Sequence, residues 1–251
     1  MKTEVSQRLI QINNVFYQNF GAAFAATRRR IQPGIRRILQ QIPLHGNWLD
    51  LGCGSGALAL EWVAQKRSGA YDGLDFSQVL LNEAQQSLST PEHPNLNIHF
   101  IQADLGGQAW PEKLQNRPYD GVLCFAALHH IPDADLRLNI LKLAHDLIKA
   151  QGLFIHSEWQ FQHSPRLTAR CLPWSVAGLD QAELDEGDTL LDWRYALPGQ
   201  TEKVGLRYVH CFEHNELLDL AEKSGFKIIE EFDSDGAGGR LGLYQVWQKV
   251  G

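Results

Sequence analysis

Nowhere in its 251 residues does the chain hold an apolar run of about 18, so no segment is built to cross a membrane as a helix. The opening "MKTEVSQRLIQINN" has no apolar stretch of the kind that directs secretion, and a cytoplasmic protein is expected. A CxxC pair is missing too. Cys53, Cys124, Cys171 and Cys211 stand far apart, which argues against a disulfide framework or a cysteine zinc site and fits a reducing compartment. Basic excess is also absent: the formal net charge is −6. A nucleic-acid partner would have to be met by a local patch or through a second protein. The densest such patch is Arg28, Arg29 and Arg30 with Arg36 and Arg37. It reads either as a solvated helix face or as an anion-contacting surface. Repeats and low-complexity linkers do not occur. The length and the 44% hydrophobic content suit one large α/β domain, taken here as 1–251.

Against these absences stands a regular alternation. Residues 3–41 read as two helices parted near Pro33, a good first-turn residue. "GNWLDLGCG" reads as a strand entering a glycine-rich turn, with "ALALEWVAQ" the helix behind it. "GAYDGLDFS" is a second strand, and "SQVLLNEAQQSL" a helix capped by Ser77. "NIHFIQADL" is a third strand. "YDGVLCFAALHHI" is a fourth that ends in polar residues. "DADLRLNILKLAHDLIKAQG" is a helix closed by Gly152, and "LFIHSEW" a fifth strand. This rhythm predicts a mostly parallel sheet covered by helices on both faces. It breaks over 159–210, where Trp159, Trp174, Trp193, prolines and "LDQAELDEGD" appear. That stretch is too long for a plain loop and reads as a cap inserted over the active site. A helix, "EHNELLDLAEKSGF", and a closing antiparallel hairpin, "KIIEEFDSD" with "LGLYQVWQK", complete the core.

"LDLGCGSG" follows a strand and opens a helix, and Gly52, Gly54 and Gly56 let the backbone turn sharply and approach a ligand. A GxGxG also marks dinucleotide sites, so three acids decide. Asp50 precedes the first glycine, where it would repel a pyrophosphate but can hold an ammonium. Asp75 ends the second strand, in place for ribose hydroxyls, and Asp104 ends the third, in place for an adenine amino group. All three fall at carboxyl ends of parallel strands, where ligands bind in such sheets.

Over about residues 46–158 and the last hairpin, this set resembles the class I S-adenosylmethionine-dependent methyltransferases. The resemblance implies a Rossmann-like seven-stranded sheet, mostly parallel with the last strand antiparallel, N-terminal helices over 1–45, and S-adenosyl-L-methionine as cofactor. Phe76, Leu105 and Phe125 join the glycines and acids as candidate cofactor contacts. Cys53 between the glycines is a departure the family tolerates.

A finer resemblance lies outside that core. "FAATRRRIQPGI", with Phe24, Thr27, Arg28 and Pro33, is similar to the segment before the core in eukaryotic tRNA wobble-uridine carboxymethyl methyltransferases. It implies that Arg28 pairs with the cofactor's methionine carboxylate, for which a planar guanidinium is suited. "AALHHI" resembles that family's His-containing segment, with His129 and His130 near the methyl donor. "LRYVHCFEHNEL" resembles its Arg-Tyr-Tyr-His-Val-Phe segment, carrying over Arg207, Tyr208 and His210. "EGDTLLDW" resembles a further segment, with Asp192 where that family has Pro. Asp235 in "EEFDSDG" matches its acidic strand end, but the following Asn-Trp is replaced by "GAGGRLG". The resemblance implies tRNA and a small zinc-binding activator protein as partners.

His129, His130, Arg207, His210 and Asp235 are thus the candidate catalytic residues. Esterifying a carboxylate needs no strong base, because the acid is already ionised. It needs the oxygen held in line with the methyl group, and positive charge to bind the acid. Other readings stay open. His210 packs and caps beside the next helix, or His129 and His130 only shape the strand end. His210 and His214 share a metal-ligand spacing, but no third ligand is indicated, so no metal is expected. A methyltransferase of a small carboxylic acid or other metabolite, and a non-catalytic cofactor-binding subunit, are the rival functions.

Overall fold

A computed structural model describes residues 1–26, 30–88, 94–195 and 201–250, without the side chains of 22 and 24–26. The chain runs α1 (Thr3–Ala26), α2 (Pro33–Gln41), β1 (His45–Leu51), α3 (Ala57–Ala64), β2 (Ser68–Asp75), α4 (Gln78–Ser87), β3 (Leu96–Gln102), β4 (Tyr119–Phe125), α5 (Ala134–Leu147) and β5 (Ile148–Trp159). Then come α6 (Pro165–Thr168), β6 (Cys171–Leu172), β7 (Asp188–Tyr195), β8 (Lys203–His210), α7 (His214–Lys223), β9 (Phe226–Ser234) and β10 (Gly242–Lys249). Among the described residues, no helix is long and apolar enough to cross a membrane.

Seven strands form one sheet in the order β3-β2-β1-β4-β5-β10-β9. β1 to β5 pair in parallel, and β10 runs antiparallel to both β5 and β9. The predicted fold class stands. Adjacent strand residues bury on opposite faces: Leu49, Val122 and Phe154 on one, Trp48, Leu123 and Ile155 on the other. α5 and α7 cover the first face and α2 and α3 the second, so both are dry. Pro33 occupies the first turn of α2, and Ser77 Oγ caps α4 by accepting from the Leu80 N–H at 3.4 Å.

Gly152 does not close a helix. α5 ends at Leu147, and Gly152 lies inside β5. A Cβ there would stand 2.8 Å from the Asp120 carbonyl, so the glycine serves a close approach between strands. The fourth strand is also shorter than expected. It stops at Phe125, and a single 3₁₀ turn carries Leu128–His130.

The cap is built on a second sheet, β6-β7-β8, all antiparallel. It does not stand alone. Val5, Leu9 and Ile12 of α1 bury against Trp174, Leu190 and Tyr208, so the first helix and the cap make one layer. Asn13 ties that layer to the core. Its Nδ2 donates to the Tyr208 and His130 carbonyls at 3.1 and 3.2 Å, and its Oδ1 accepts from the Tyr208 N–H at 2.9 Å.

Candidate active site

The sheet order reverses between β2-β1 and β1-β4, and a cavity of about 550 Å³ opens at the carboxyl ends of the strands beside that point. Gly52 and Cys53 donate to the Leu74 carbonyl at 2.8 and 2.9 Å, folding the glycine loop onto the end of β2. Gly52 (φ 78°) meets Ala127 so closely that a Cβ would lie 2.6 Å from the alanine's. Gly54 (φ 55°) is different: a Cβ there meets nothing within 4 Å, and the residue lines the cavity. That bare backbone is the cradle a close-fitting ligand needs. Gly56 stands off the cavity and caps α3 in left-handed backbone, packed against Ala84.

Three acids border the cradle. Asp50 is buried and accepts from the Tyr71 hydroxyl. Burial pushes its carboxyl up to about 7; the Tyr71 hydrogen bond opposes this and nearby Asp75 adds to it. Asp75 accepts from the Gly54 and Ser77 N–H groups at 2.9 and 2.8 Å. Burial raises it above the usual range despite those bonds. The carboxylate keeps acceptor capacity for a ribose hydroxyl. Asp104 lies two residues beyond β3, exposed at the rim, and accepts from the Gly106 N–H at 2.9 Å. Phe76, Leu105 and Phe125 line the apolar wall between them. Acids at one end, an open glycine and an apolar slot fit a cofactor with an ammonium, a ribose and a base. Arg30 lines the cavity, whereas Arg28 lies outside the described residues.

The other end of the cavity gathers residues from α1, the 3₁₀ turn, β5 and β8. His130 Nε2 lies 3.3 Å from the Tyr17 hydroxyl, and its Nδ1 lies 3.1 Å from the Tyr208 carbonyl. His129 Nδ1 lies 3.0 Å from Glu158 Oε2. Arg207 is 4% exposed yet lines the cavity. Its guanidinium sits 4.9 Å from the Trp159 ring centre and 5.4 Å from that of Phe16. A charge so walled is felt strongly by an entering anion.

Two expected catalytic residues are held in structural bonds instead. His210 is not a cavity residue. Its ring nitrogens lie 2.8 Å from Asp188 Oδ1 and 2.9 Å from Glu216 Oε2, fastening the end of β8 to the first turn of α7. Burial works against the imidazolium, but these two carboxylates outweigh it and raise the histidine. Asp235 (φ 70°) is at the cavity edge in a structural role, accepting from Gly34 N–H at 3.0 Å and Tyr244 O–H at 2.6 Å. Of the three cap tryptophans, only Trp159 faces the cavity. Trp174 packs against α1, and Trp193 meets Phe16, Phe20 and Tyr195.

Glu158, Asn13 and Tyr17 are site residues that the sequence patterns did not point to. Glu158 had a signal: an acid inside the apolar fifth strand needs a buried partner. Asn13 and Tyr17 stand one helical turn apart on a surface that only the cap reveals as covered.

A methyltransferase-domain family profile matches residues 24–231. A protein of Encephalitozoon cuniculi named as a methyltransferase is 26% identical over 218 residues, covering 86% of this chain and 87% of that one. The malonyl-[acyl-carrier protein] O-methyltransferase of Halalkalibacterium halodurans is 28% identical over 109 residues, 43% of this chain and 37% of that one. A solved S-adenosylmethionine-dependent methyltransferase of Methanosarcina mazei shares the fold, with a TM-score of 0.62 and 21% identity over 88% of this chain and 99% of that one. The chain belongs to the methyltransferase-domain family: it is a class I enzyme that uses S-adenosylmethionine.

Proposed function

We propose that this methyltransferase acts on an oxygen of a small carboxylic acid whose carboxylate docks on Arg207. The observation that carries the reading is the Arg207 guanidinium, buried in the cavity wall against Trp159 and Phe16. A guanidinium has five donors in a rigid fork, enough to hold a carboxylate while keeping other contacts. The bound cofactor supplies an electrophilic methyl group. Asp50 would hold its ammonium and Asp75 its ribose, and Gly54 would allow close backbone contact, all three lining the cavity. His130, fixed between Tyr17 and Tyr208, adds a polar wall next to the anion. An O-methyltransferase of a malonyl group among the relatives supports an acidic acceptor.

The resemblance to the wobble-uridine enzymes would make 5-carboxymethyluridine the acid and its carboxylate the nucleophile. The net charge of −6 and the missing Asn-Trp favour a small metabolite instead. Calorimetry on the protein loaded with S-adenosylhomocysteine tests both, with benzoate and a 5-carboxymethyluridine anticodon stem-loop as probes. Benzoate should bind, and Arg207→Ala should weaken it about 10- to 100-fold, the scale of a lost charged hydrogen bond. Cofactor affinity should be kept, and Arg207→Lys should recover only part. Equal benzoate affinity in wild type and Arg207→Ala would refute the anchor. Tight binding of the stem-loop alone would return the tRNA acceptor.

A further inference from the structure

Ester formation leaves one buried device of this site without a task. β5 carries His156 and Glu158 two residues apart on one side of the strand, and both are buried, as is His129. Glu158 Oε2 lies 3.0 Å from His129 Nδ1, and its Oε1 lies 2.8 Å from His156 Nδ1. His156 Nε2 lies 3.2 Å from Gln245 Oε1, which also accepts from the Trp247 indole at 2.8 Å. His156 therefore has an oxygen acceptor beside each ring nitrogen. Burial alone would raise Glu158, but the hydrogen bonds from His129 and His156 outweigh it and hold the carboxyl below its usual range. Glu158 is thus a buried anion held between His156 on one side and His129 on the other.

That anion sets the tautomer of His129. The Trp159 N–H also approaches Nδ1, at 3.3 Å, but the shorter charged contact keeps a proton on Nδ1. Nε2 is left with its lone pair, on a ring that lines the cavity. A base held by a buried carboxylate through its far nitrogen is the arrangement that activates a hydroxyl. A carboxylate acceptor, ionised well below neutral pH, has no use for it.

We propose that His129 is the general base of this site and that the acceptor is a hydroxy acid, methylated on its hydroxyl oxygen. This rests on the anchoring of an acid by Arg207. The two groups flank one indole: Trp159 stands 4.9 Å from the Arg207 guanidinium carbon and 6.4 Å from the His129 ring centre. An aromatic hydroxy acid lying along that indole presents its carboxylate to Arg207 and its hydroxyl to His129. As the acceptor oxygen bonds to the methyl carbon, the O–H pair stays on oxygen and the proton passes to His129 Nε2. The carbon–sulfur bond breaks with its pair going to the sulfonium. One neutral ether, one imidazolium and one neutral thioether result from a neutral hydroxyl, a neutral imidazole and a sulfonium. Among the described residues, the titratable or charged groups beside His129 on the cavity are His130 in the same turn, Tyr17 of α1 bonded to His130 and Arg207 of β8, while the buried Cys124 thiol of β4 feels the Glu158 charge. Asp50 and Asp75 border the cofactor end.

The test uses the protein with S-adenosylmethionine and 2-, 3- and 4-hydroxybenzoate, with benzoate as control, and reads the products by mass spectrometry before and after alkali. An alkali-stable methyl ether from at least one hydroxybenzoate, and no product from benzoate, is expected. His129→Gln should lower kcat about 100-fold or more while cofactor and benzoate affinities are kept. That deficit should shrink toward pH ~10, where a phenol ionises unaided. Glu158→Gln, a positioning change, should lower kcat and spare the acceptor KM. An alkali-labile ester, or no turnover of any hydroxybenzoate by the wild type, would overturn the proposal without recourse to a variant. So would a His129→Gln enzyme as fast as wild type. Failure of benzoate to bind would instead defeat the Arg207 anchor, a separate result.

Discussion

Removing the charge of Asp50 should stabilise the empty protein and impair the loaded one. Burial raises the folded-state carboxyl from an ordinary 3.8 to about 7. Every tenfold gain in proton affinity is worth ~1.4 kcal/mol, so the ionised acid costs the empty fold about 4 kcal/mol. The sign follows from proton binding. Between 3.8 and about 7 the folded protein holds a proton that the unfolded chain has lost, so this group's contribution falls as pH rises through that window. Below it the cost is absent, and above it the cost is full. Asn keeps an acceptor for the Tyr71 hydroxyl but cannot ionise. Urea unfolding of cofactor-free Asp50→Asn should therefore show a gain of about 2–4 kcal/mol at pH ~8 and little change near pH ~4.5. Calorimetry should show S-adenosylmethionine binding weakened about 10- to 100-fold, because a charged hydrogen bond to its ammonium is lost. In the wild type that affinity should fall as pH drops below 7 and level off near that of the Asn variant, as Asp50 takes up its proton. An Asn variant no more stable than wild type at pH ~8, with cofactor affinity flat from pH ~6 to ~8, would refute both the desolvation argument and the ammonium contact.

Asp188→Asn should cost about 3–5 kcal/mol at pH ~6, the scale of breaking a buried ion pair, because His210 and Tyr208 both bond to that carboxylate. His210 is raised, so its share of stability is present below 6.5 and fades as pH climbs through the folded value; denaturant melts at pH ~6 and ~8.5 should show a smaller cost of the substitution at the higher pH. Two glycines in one motif should part company. Gly56→Ala should destabilise the fold in thermal melts, since its Cβ would fall 2.8 Å from that of Ala84. Gly54→Ala, which meets no protein atom within 4 Å, should carry only the cost of its left-handed backbone in melts and should reduce cofactor affinity by calorimetry. Ser77→Ala should lower stability by about 1 kcal/mol through loss of the α4 cap, seen as a shifted urea midpoint with an unchanged slope.

The alternation of strand and helix, the glycine turn and the three acids were legible in the sequence because they are local. A run of β-forming residues, a left-handed glycine and an N-cap serine each act within a few residues of themselves. Asp50, Gly54 and Asp75 therefore landed together, since parallel strands all deliver their carboxyl ends to one edge. The acceptor end was decided only by tertiary packing. β10 inserts between β5 and β9, which places Gln245 and Trp247 beside His156. The cap folds as its own sheet on α1 and brings Arg207 to Trp159, while its last residue, His210, is taken by Asp188 and Glu216. Arg207 and His210 lie on one strand of one motif, and no local pattern distinguishes them. What separated them was which charges stood across the next layer, and that depends on contacts between residues far apart in the chain.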